Sequence, residues 1–355
     1  MALWRSVGGA LALALVNLNV ATCHSSTEGG GGDTAAKDEP KTVKLDGVDS
    51  SALTPREQKE WSTYVTELLA PCSDQPVSIA DCIKESRPCS LCLPAAKFLV
   101  ERVTRGSARS QVEQAFRLRF APDQVKTVDE GDSPSIGAKD APVVIVEWAD
   151  FECPYCGAAA PVLDKLLREY PGIVRLVFKN YPLASHEHSE MAARAAVAAG
   201  KQGKFWEMHH ALFSNQQTGL DRDTVLKLAK EIGLDEKKLV PDMEAEATAD
   251  AVNADRKQAE KLELRGTPMI YINGRHFELE DFNMLEDLHE WVELEVEQRT
   301  GKKVTAKKLD EPPGAPSGFA PVGEDETPTP PASASKPVTQ ASASKPVTPA
   351  PSKKP

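Results

Sequence analysis

The sequence predicts an α/β chain in which strands flank a long, almost continuously helical stretch, with a small all-α segment before it and an unpacked tail after it. Three observations carry this expectation. A β-branched run, VVIVEWA from Val143 to Ala149, stops at two cysteines spaced CxxC and passes into a helical pattern of Ala158, Val162, Leu163, Leu166 and Leu167. A second apolar run, Met269 to Ile272, meets Asn273-Gly274, the dipeptide of a tight hairpin, before Arg275 to Phe277. Residues 54–120 show helical spacing with capping residues and no strand signal.

Taken in order, the chain opens with Arg5 and an apolar run from Val7 to Val16, too short to span a bilayer and laid out like a secretory signal over residues 1–23. Val20-Ala21-Thr22-Cys23 resembles a bacterial lipobox, which implies lipidation at Cys23 and a membrane anchor, although Thr22 stands where Gly or Ala is usual. Ordinary cleavage nearby is the alternative. Of seven cysteines, removing Cys23 leaves six, an even number that suits an oxidising, exported setting. Residues 24–52 are rich in Gly, Ser, Thr and charge and read as a flexible tether.

Residues 53–128 are expected to form the all-α segment. Thr54-Pro55 gives an N-cap with Pro at the first helical position, and Trp61, Tyr64, Val65 and Leu68 follow at near-helical spacing. Ser78 caps a second helix, residues 95–103 form a third that stops before Gly106, and Ser110-x-x-Glu113 is the capping-box signature of a fourth. This segment holds Cys72, Cys82, Cys89 and Cys92. Two structural disulfides, a second redox pair at Cys89 and Cys92, and a zinc site are the three readings; the irregular spacing fits common zinc ligand patterns poorly. SIADC and the last two helical patterns faintly resemble the CcmH-type thiol reductases of cytochrome c maturation.

At the CxxC itself, Cys153 falls at a helix N-cap and Pro154 at the first helical position, where its missing N–H is harmless. The helix's free N–H groups and dipole then favour a Cys153 thiolate, while Cys156, one turn in, is more buried. An exposed low-pKa thiol beside a buried one suits reversible exchange: Cys153 attacks and Cys156 resolves the mixed disulfide. Glu147 shares the face of Ile145 and should point into the core beneath the pair, where burial raises its pKa and lets it trade a proton with Cys156.

These residues, GDSPSIGAKDAPVVIVEWADFECPYC, with LVFKNYPL, AARAAVAAGKQGKFWEMHHALFSNQ and RGTPMIYINGR in the same order, resemble the thioredoxin superfamily and, within it, the DsbA-like thiol-disulfide oxidoreductases of bacterial envelopes. The resemblance covers roughly residues 130–295 and implies a thioredoxin-like fold with a helical insertion, in a domain expected over residues 129–300. Glu147 matches the family's buried acid by position, and Pro161 its helix-kinking proline. It further implies that Thr267-Pro268 is a cis-proline loop facing the CxxC, although an X-Pro bond is cis in only about one case in twenty. Its backbone, with Pro154 and Tyr155, would hold an extended substrate segment through main-chain bonds. Residues 173–179 read as a strand, residues 185–264 as almost continuous helix punctuated by Gly203 and Gly233, and residues 281–299 as a closing helix. His186, His188, His209 and His210 lack a completing carboxylate or cysteine spacing, so helix-surface or capping roles are expected of them and no metal. Residues 301–355, with ASASKPVT twice, read as a disordered spacer.

The expected function is thiol-disulfide oxidoreduction on cysteine-containing envelope proteins, in the periplasm, with no cofactor. The resemblance implies a membrane redox partner of the DsbB or DsbD type. A formal net charge of −11 argues against nucleic acid. Asp150 and Glu152 beside Cys153 are expected to oppose thiolate formation, and oxidase, isomerase and reductase all stay open. The rival reading is a binding module, either a thioredoxin-like peptide holder or a copper metallochaperone in which CPYC captures Cu(I).

Overall fold

The computed structural model describes residues 42–309. The signal-like stretch, the lipobox cysteine and the repeats of the tail lie outside these residues. Five strands form one mixed sheet in the order β1-β3-β2-β4-β5: β1 (Ser135–Ile136), β2 (Val143–Ala149), β3 (Val174–Asn180), β4 (Met269–Ile272) and β5 (Arg275–Phe277). β2 and β3 run parallel, while β4 lies antiparallel to β2 and β5 antiparallel to β4. The parallel pair needs a crossover, supplied by α5 (Pro154–Glu169). Here is the thioredoxin-like fold that the resemblance implies.

Both faces of the central strand are buried. Val143 and Ile145 pack with Leu163, Leu166 and Leu167 of α5, while Val146 and Trp148 pack with Val177, Met269, Tyr271 and Ala259 on the other face. That two-sided burial explains why β2 reads as continuous VVIV and not as strict alternation. The helical insertion comprises α6 (Ser189–Gly200), α7 (Phe205–Asn215), α8 (Arg222–Glu231), α9 (Glu236–Glu244) and α10 (Glu246–Lys261). It is more divided than the sequence predicts. Gly203 and Gly233 do interrupt it, and Gly219 and Ala245 add two further breaks. The last helix, α11 (Met284–Thr300), returns across α5.

Before the sheet stand α1 (Pro55–Glu67), α2 (Ile79–Lys84), α3 (Cys92–Thr104) and α4 (Arg109–Phe120). Thr54 caps α1 with Glu57 completing the capping box, and Ser78 Oγ accepts from Asp81 N–H at 3.0 Å. The fourth helix corrects the expected box at Ser110: the N-cap of α4 is Ala108, two residues earlier, Gln111 Oε1 accepts from Ala108 N–H, and Glu113 instead pairs with Arg109 at 2.7 Å.

These four helices do not stand apart from the sheet. Phe98 and Phe120 contact each other edge-on, and Phe98 meets Phe282, which packs on Phe277 and Trp291. The buried Arg119 stacks over Trp291 at 4.1 Å and pairs with Glu295 at 2.9 Å. Arg275 donates to Ala121 O at 2.8 Å, and Lys126 N–H to Gly274 O at 2.7 Å. Gly274 is needed for that approach, because its φ is +83° and an added Cβ would run into the Lys126 carbonyl.

Two segments expected to be unpacked are partly packed. Within the tether, Leu45 is buried, and Val43 N–H donates to Ser62 Oγ at 2.9 Å. At the start of the tail, Val304 and Ala306 lie against the core, and Lys307 N–H donates to Glu169 O at 2.8 Å. In each case scattered apolar residues find a groove between helices, which composition averaged over the whole segment conceals.

Candidate active site

Cys153 is the N-cap of α5 and Pro154 its first residue, so strand β2 ends directly beneath the helix terminus. Both cysteines are thiols here. Cys156 is fully buried, and Cys153 is only 4% exposed. The outer sulfur is therefore more covered than the sequence predicts. The reason is the opposing loop: Thr267–Pro268 is cis, and the Cys153 thiol donates to Thr267 O at 3.3 Å. Beside it Pro154 is exposed and Tyr155 is 75% exposed, leaving an open rim around a sheltered sulfur.

The electrostatics divide the two thiols. The hydrogen bond from the Cys156 thiol, aided by the backbone N–H groups of Cys156 and Tyr155, pulls the Cys153 pKa down to about 5 against the cost of burial. Burial pushes Cys156 the other way, well above an ordinary thiol, with the Cys153 and Glu147 charges adding to it. Asp150 N–H donates to Cys156 Sγ at 3.4 Å.

Glu147 lies on central strand β2, opposite Phe178 and Ile270. It is 1% exposed, and neither carboxyl oxygen has a hydrogen-bond partner among the described residues. Burial first, then the Asp164 and Cys153 charges, raise its pKa to about 8. Asp164 sits two turns along α5 from Cys156, with Ala160 between them on one stripe, and His210 of α7 approaches it at 3.3 Å.

Asp150 and Glu152 do not face the Cys153 sulfur, contrary to the expectation that they oppose its ionisation. Asp150 accepts from Glu152 N–H and Leu183 N–H, both at 2.7 Å, and contacts His186 Nδ1 at 2.8 Å. Glu152 accepts from His188 N–H at 2.7 Å. Their charge is spent on fastening the CxxC loop to the segment before α6.

Gln216 is a site residue that spacing did not reveal. Its Nε2 donates to Phe151 O and to Cys153 O, both at 2.8 Å, so the C-terminal end of α7, within the helical insertion, grips the active loop. The one sequence hint is Gly157, the small residue after the CxxC, whose missing Cβ makes room for the Gln216 amide. His209 corrects its expected surface role. It is buried among Phe151, Phe178, Trp206 and Phe213, and burial holds its pKa well below the usual histidine value.

The cysteines of the helical segment are joined as Cys72–Cys89 and Cys82–Cys92. Of the three readings open in the sequence this is the one of two disulfides: Cys89 and Cys92 are not joined to each other, and a sulfur held in a disulfide is no thiolate ligand. Among the described residues, no helix is long and apolar enough to cross a membrane.

Residues 129–293 match the sequence model of the family described as Thioredoxin. Over 140 residues the chain is 40% identical to a Salinispora tropica protein named Na(+)/H(+) antiporter NhaA 3, a match covering 39% of this chain and 21% of that protein. The chain thus spans about a fifth of the length of the curated relatives it matches. Among solved structures, a thioredoxin-like oxidoreductase from Silicibacter pomeroyi is 33% identical, with 44% of this chain and 87% of that one covered and a TM-score of 0.38. BdbD from Bacillus subtilis is 26% identical over 46% of this chain and 93% of its own, with a TM-score of 0.42.

Proposed function

We propose that the protein, whose residues 129–293 match the family model described as Thioredoxin, is a DsbA-like thiol-disulfide oxidoreductase that works through Cys153 and Cys156 on cysteines of envelope proteins. The observation that carries the reading is the pairing of a sheltered, readily ionised Cys153 at the α5 N-terminus with a buried, proton-retaining Cys156 directly behind it. In the oxidised form, a substrate thiolate attacks Cys153 Sγ and the Cys153–Cys156 bond breaks. Cys156 leaves and takes a proton from Glu147, which burial keeps available near neutral pH. A second substrate thiolate then attacks its neighbour's sulfur, closes the substrate disulfide and releases Cys153 as a thiolate. The Thr267 carbonyl beside Cys153 supplies a main-chain partner for an extended substrate segment, and Tyr155 an aromatic surface at the rim.

The direction follows from the same sulfur. A well-stabilised Cys153 thiolate is a good leaving group and favours the reduced enzyme, which makes the couple oxidising. The envelope setting is supported by the signal-like N-terminal sequence and by two closed disulfides in the helical segment. The test is the equilibrium of Cys153 and Cys156 against glutathione. An oxidase gives a potential near about −120 to −180 mV, whereas a value near about −270 mV overturns the direction. Failure to oxidise an unfolded, reduced two-cysteine protein overturns the activity itself.

A further inference from the structure

We propose that Cys72, Cys82, Cys89 and Cys92 form a second thiol-disulfide exchange site, in which opening Cys72–Cys89 lets Cys89 capture the neighbouring bond. Three observations carry this. The two bonds interleave along the chain, with Cys82 lying between Cys72 and Cys89 in sequence and Cys89 between Cys82 and Cys92. The sulfurs of Cys82, Cys89 and Cys92 all lie within 4.8 Å of one another, so a sulfur of the first bond is a near neighbour of both sulfurs of the second. Accessibility is graded: Cys82, Cys89 and Cys92 are buried, and Cys72 alone of the four is partly exposed. Cys72 sits in the loop that the Leu69–Ser78 bridge closes, beside the exposed Leu69.

An external thiolate therefore meets Cys72 first. It attacks Cys72 Sγ, the Cys72–Cys89 bond breaks, and Cys89 departs as a thiolate inside the cluster. Cys89 is then in contact range of Cys82–Cys92, attacks one of its sulfurs, and the other leaves as a thiolate. Cys92 is the favoured leaving group because it is the first residue of α3, a helix of 13 residues whose N-cap, Leu91, offers no side-chain acceptor to the terminal N–H groups. A second external thiol clears the mixed disulfide at Cys72. With a dithiol reductant the balance is two protein disulfides in, and one relocated disulfide, two protein thiols and one oxidised reductant out. Two electrons enter at the surface, and the remaining bond moves to include Cys89.

A pair of purely structural disulfides behaves differently, and the difference is read by mapping. The full chain carrying Cys153→Ser and Cys156→Ser, so that the other site contributes no thiol, is treated with limiting dithiothreitol, quenched in acid and alkylated with N-ethylmaleimide. Exchange predicts a half-reduced species with Cys72 alkylated and Cys89 joined to Cys82 or Cys92. A half-reduced species with Cys72 and Cys89 both alkylated and Cys82–Cys92 intact overturns the proposal. An independent measurement needs no reductant: Cys72→Ser in the same background should hold Cys89-containing bonds alongside Cys82–Cys92, with folding checked by circular dichroism. Cys82–Cys92 alone in that folded variant also overturns it. Neither readout depends on whether Cys153 and Cys156 act as an oxidase.

Discussion

Gly157 and Gln216 are fitted to each other: a Cβ on Gly157 would lie 2.5 Å from Gln216 Oε1, while Gln216 Nε2 holds the Phe151 and Cys153 carbonyls at 2.8 Å. Inside a helix, Gly to Ala normally gains roughly 0.5–1 kcal/mol. Here the methyl displaces a side chain making two hydrogen bonds, each worth about 0.5–1.5 kcal/mol. Gly157→Ala should therefore give no stability gain and a several-fold slower reaction of Cys153 with a disulfide. Adding Gln216→Ala should recover the helix gain without restoring the rate. Additive effects of the two changes on stability would show that the two residues do not interact.

The two thiols should differ in what they trap. Cys156→Ser leaves Cys153 able to form, and unable to resolve, a mixed disulfide, so substrate-linked adducts should accumulate on non-reducing gels. Cys153→Ser leaves a fully buried sulfur, and adducts should be absent. Equal trapping by both variants would reverse the assignment of roles.

Glu147 gives a pH dependence whose sign is fixed by its raised pKa. Between the unfolded value of 4.5 and the folded value of about 8, the folded state holds more protons than the unfolded one. Stability therefore falls as pH rises through that window. Glu147→Gln removes the loss, so in the oxidised protein, where neither thiol titrates, the variant should match wild type near pH 4.5. It should exceed wild type by on the order of a few kcal/mol above pH 8. In turnover the same change should slow resolution at Cys156 near neutral pH and flatten the pH–rate profile. Parallel melting-temperature curves for the two proteins from pH 4.5 to 9 would place the carboxyl outside the core.

What the sequence disclosed was local. The capping pairs at Thr54 and Ser78, the strand from Val143, the Asn273-Gly274 turn and the core-facing side of Glu147 each depend on residues within a few positions, and each stands where expected. Long-range choices were hidden. Nothing near Gln216 signals that it reaches a carbonyl 63 positions away, and nothing near His209 signals an aromatic shell. Ser110 offered a good cap, but Ala108 won because Gln111 closes the turn and Arg109 engages Glu67 and Glu113. The pairing of the four N-terminal cysteines is of the same kind, since three connectivities share one spacing.

The contact between α4 and α11 should make the helical segment and the sheet melt together. Arg119 is buried, stacks on Trp291 and pairs with Glu295, whose other oxygen accepts from Asn273 Nδ2 at 3.0 Å in the β4–β5 turn. One carboxylate thus ties the all-α segment to the hairpin next to the central strand. Removing a single partner of a buried pair strands the other charge, at a cost of about 3–5 kcal/mol, while replacing both with apolar groups is far milder. Glu295→Ala should lower the denaturant midpoint accordingly, and Arg119→Met with Glu295→Leu should recover most of that loss. Because the two parts share apolar side chains from Phe98 through Trp291, urea should give one cooperative transition by both tryptophan fluorescence and far-ultraviolet circular dichroism. Two separated transitions, with Glu295→Ala shifting neither, would mean that α1–α4 fold independently and that the ion pair is incidental.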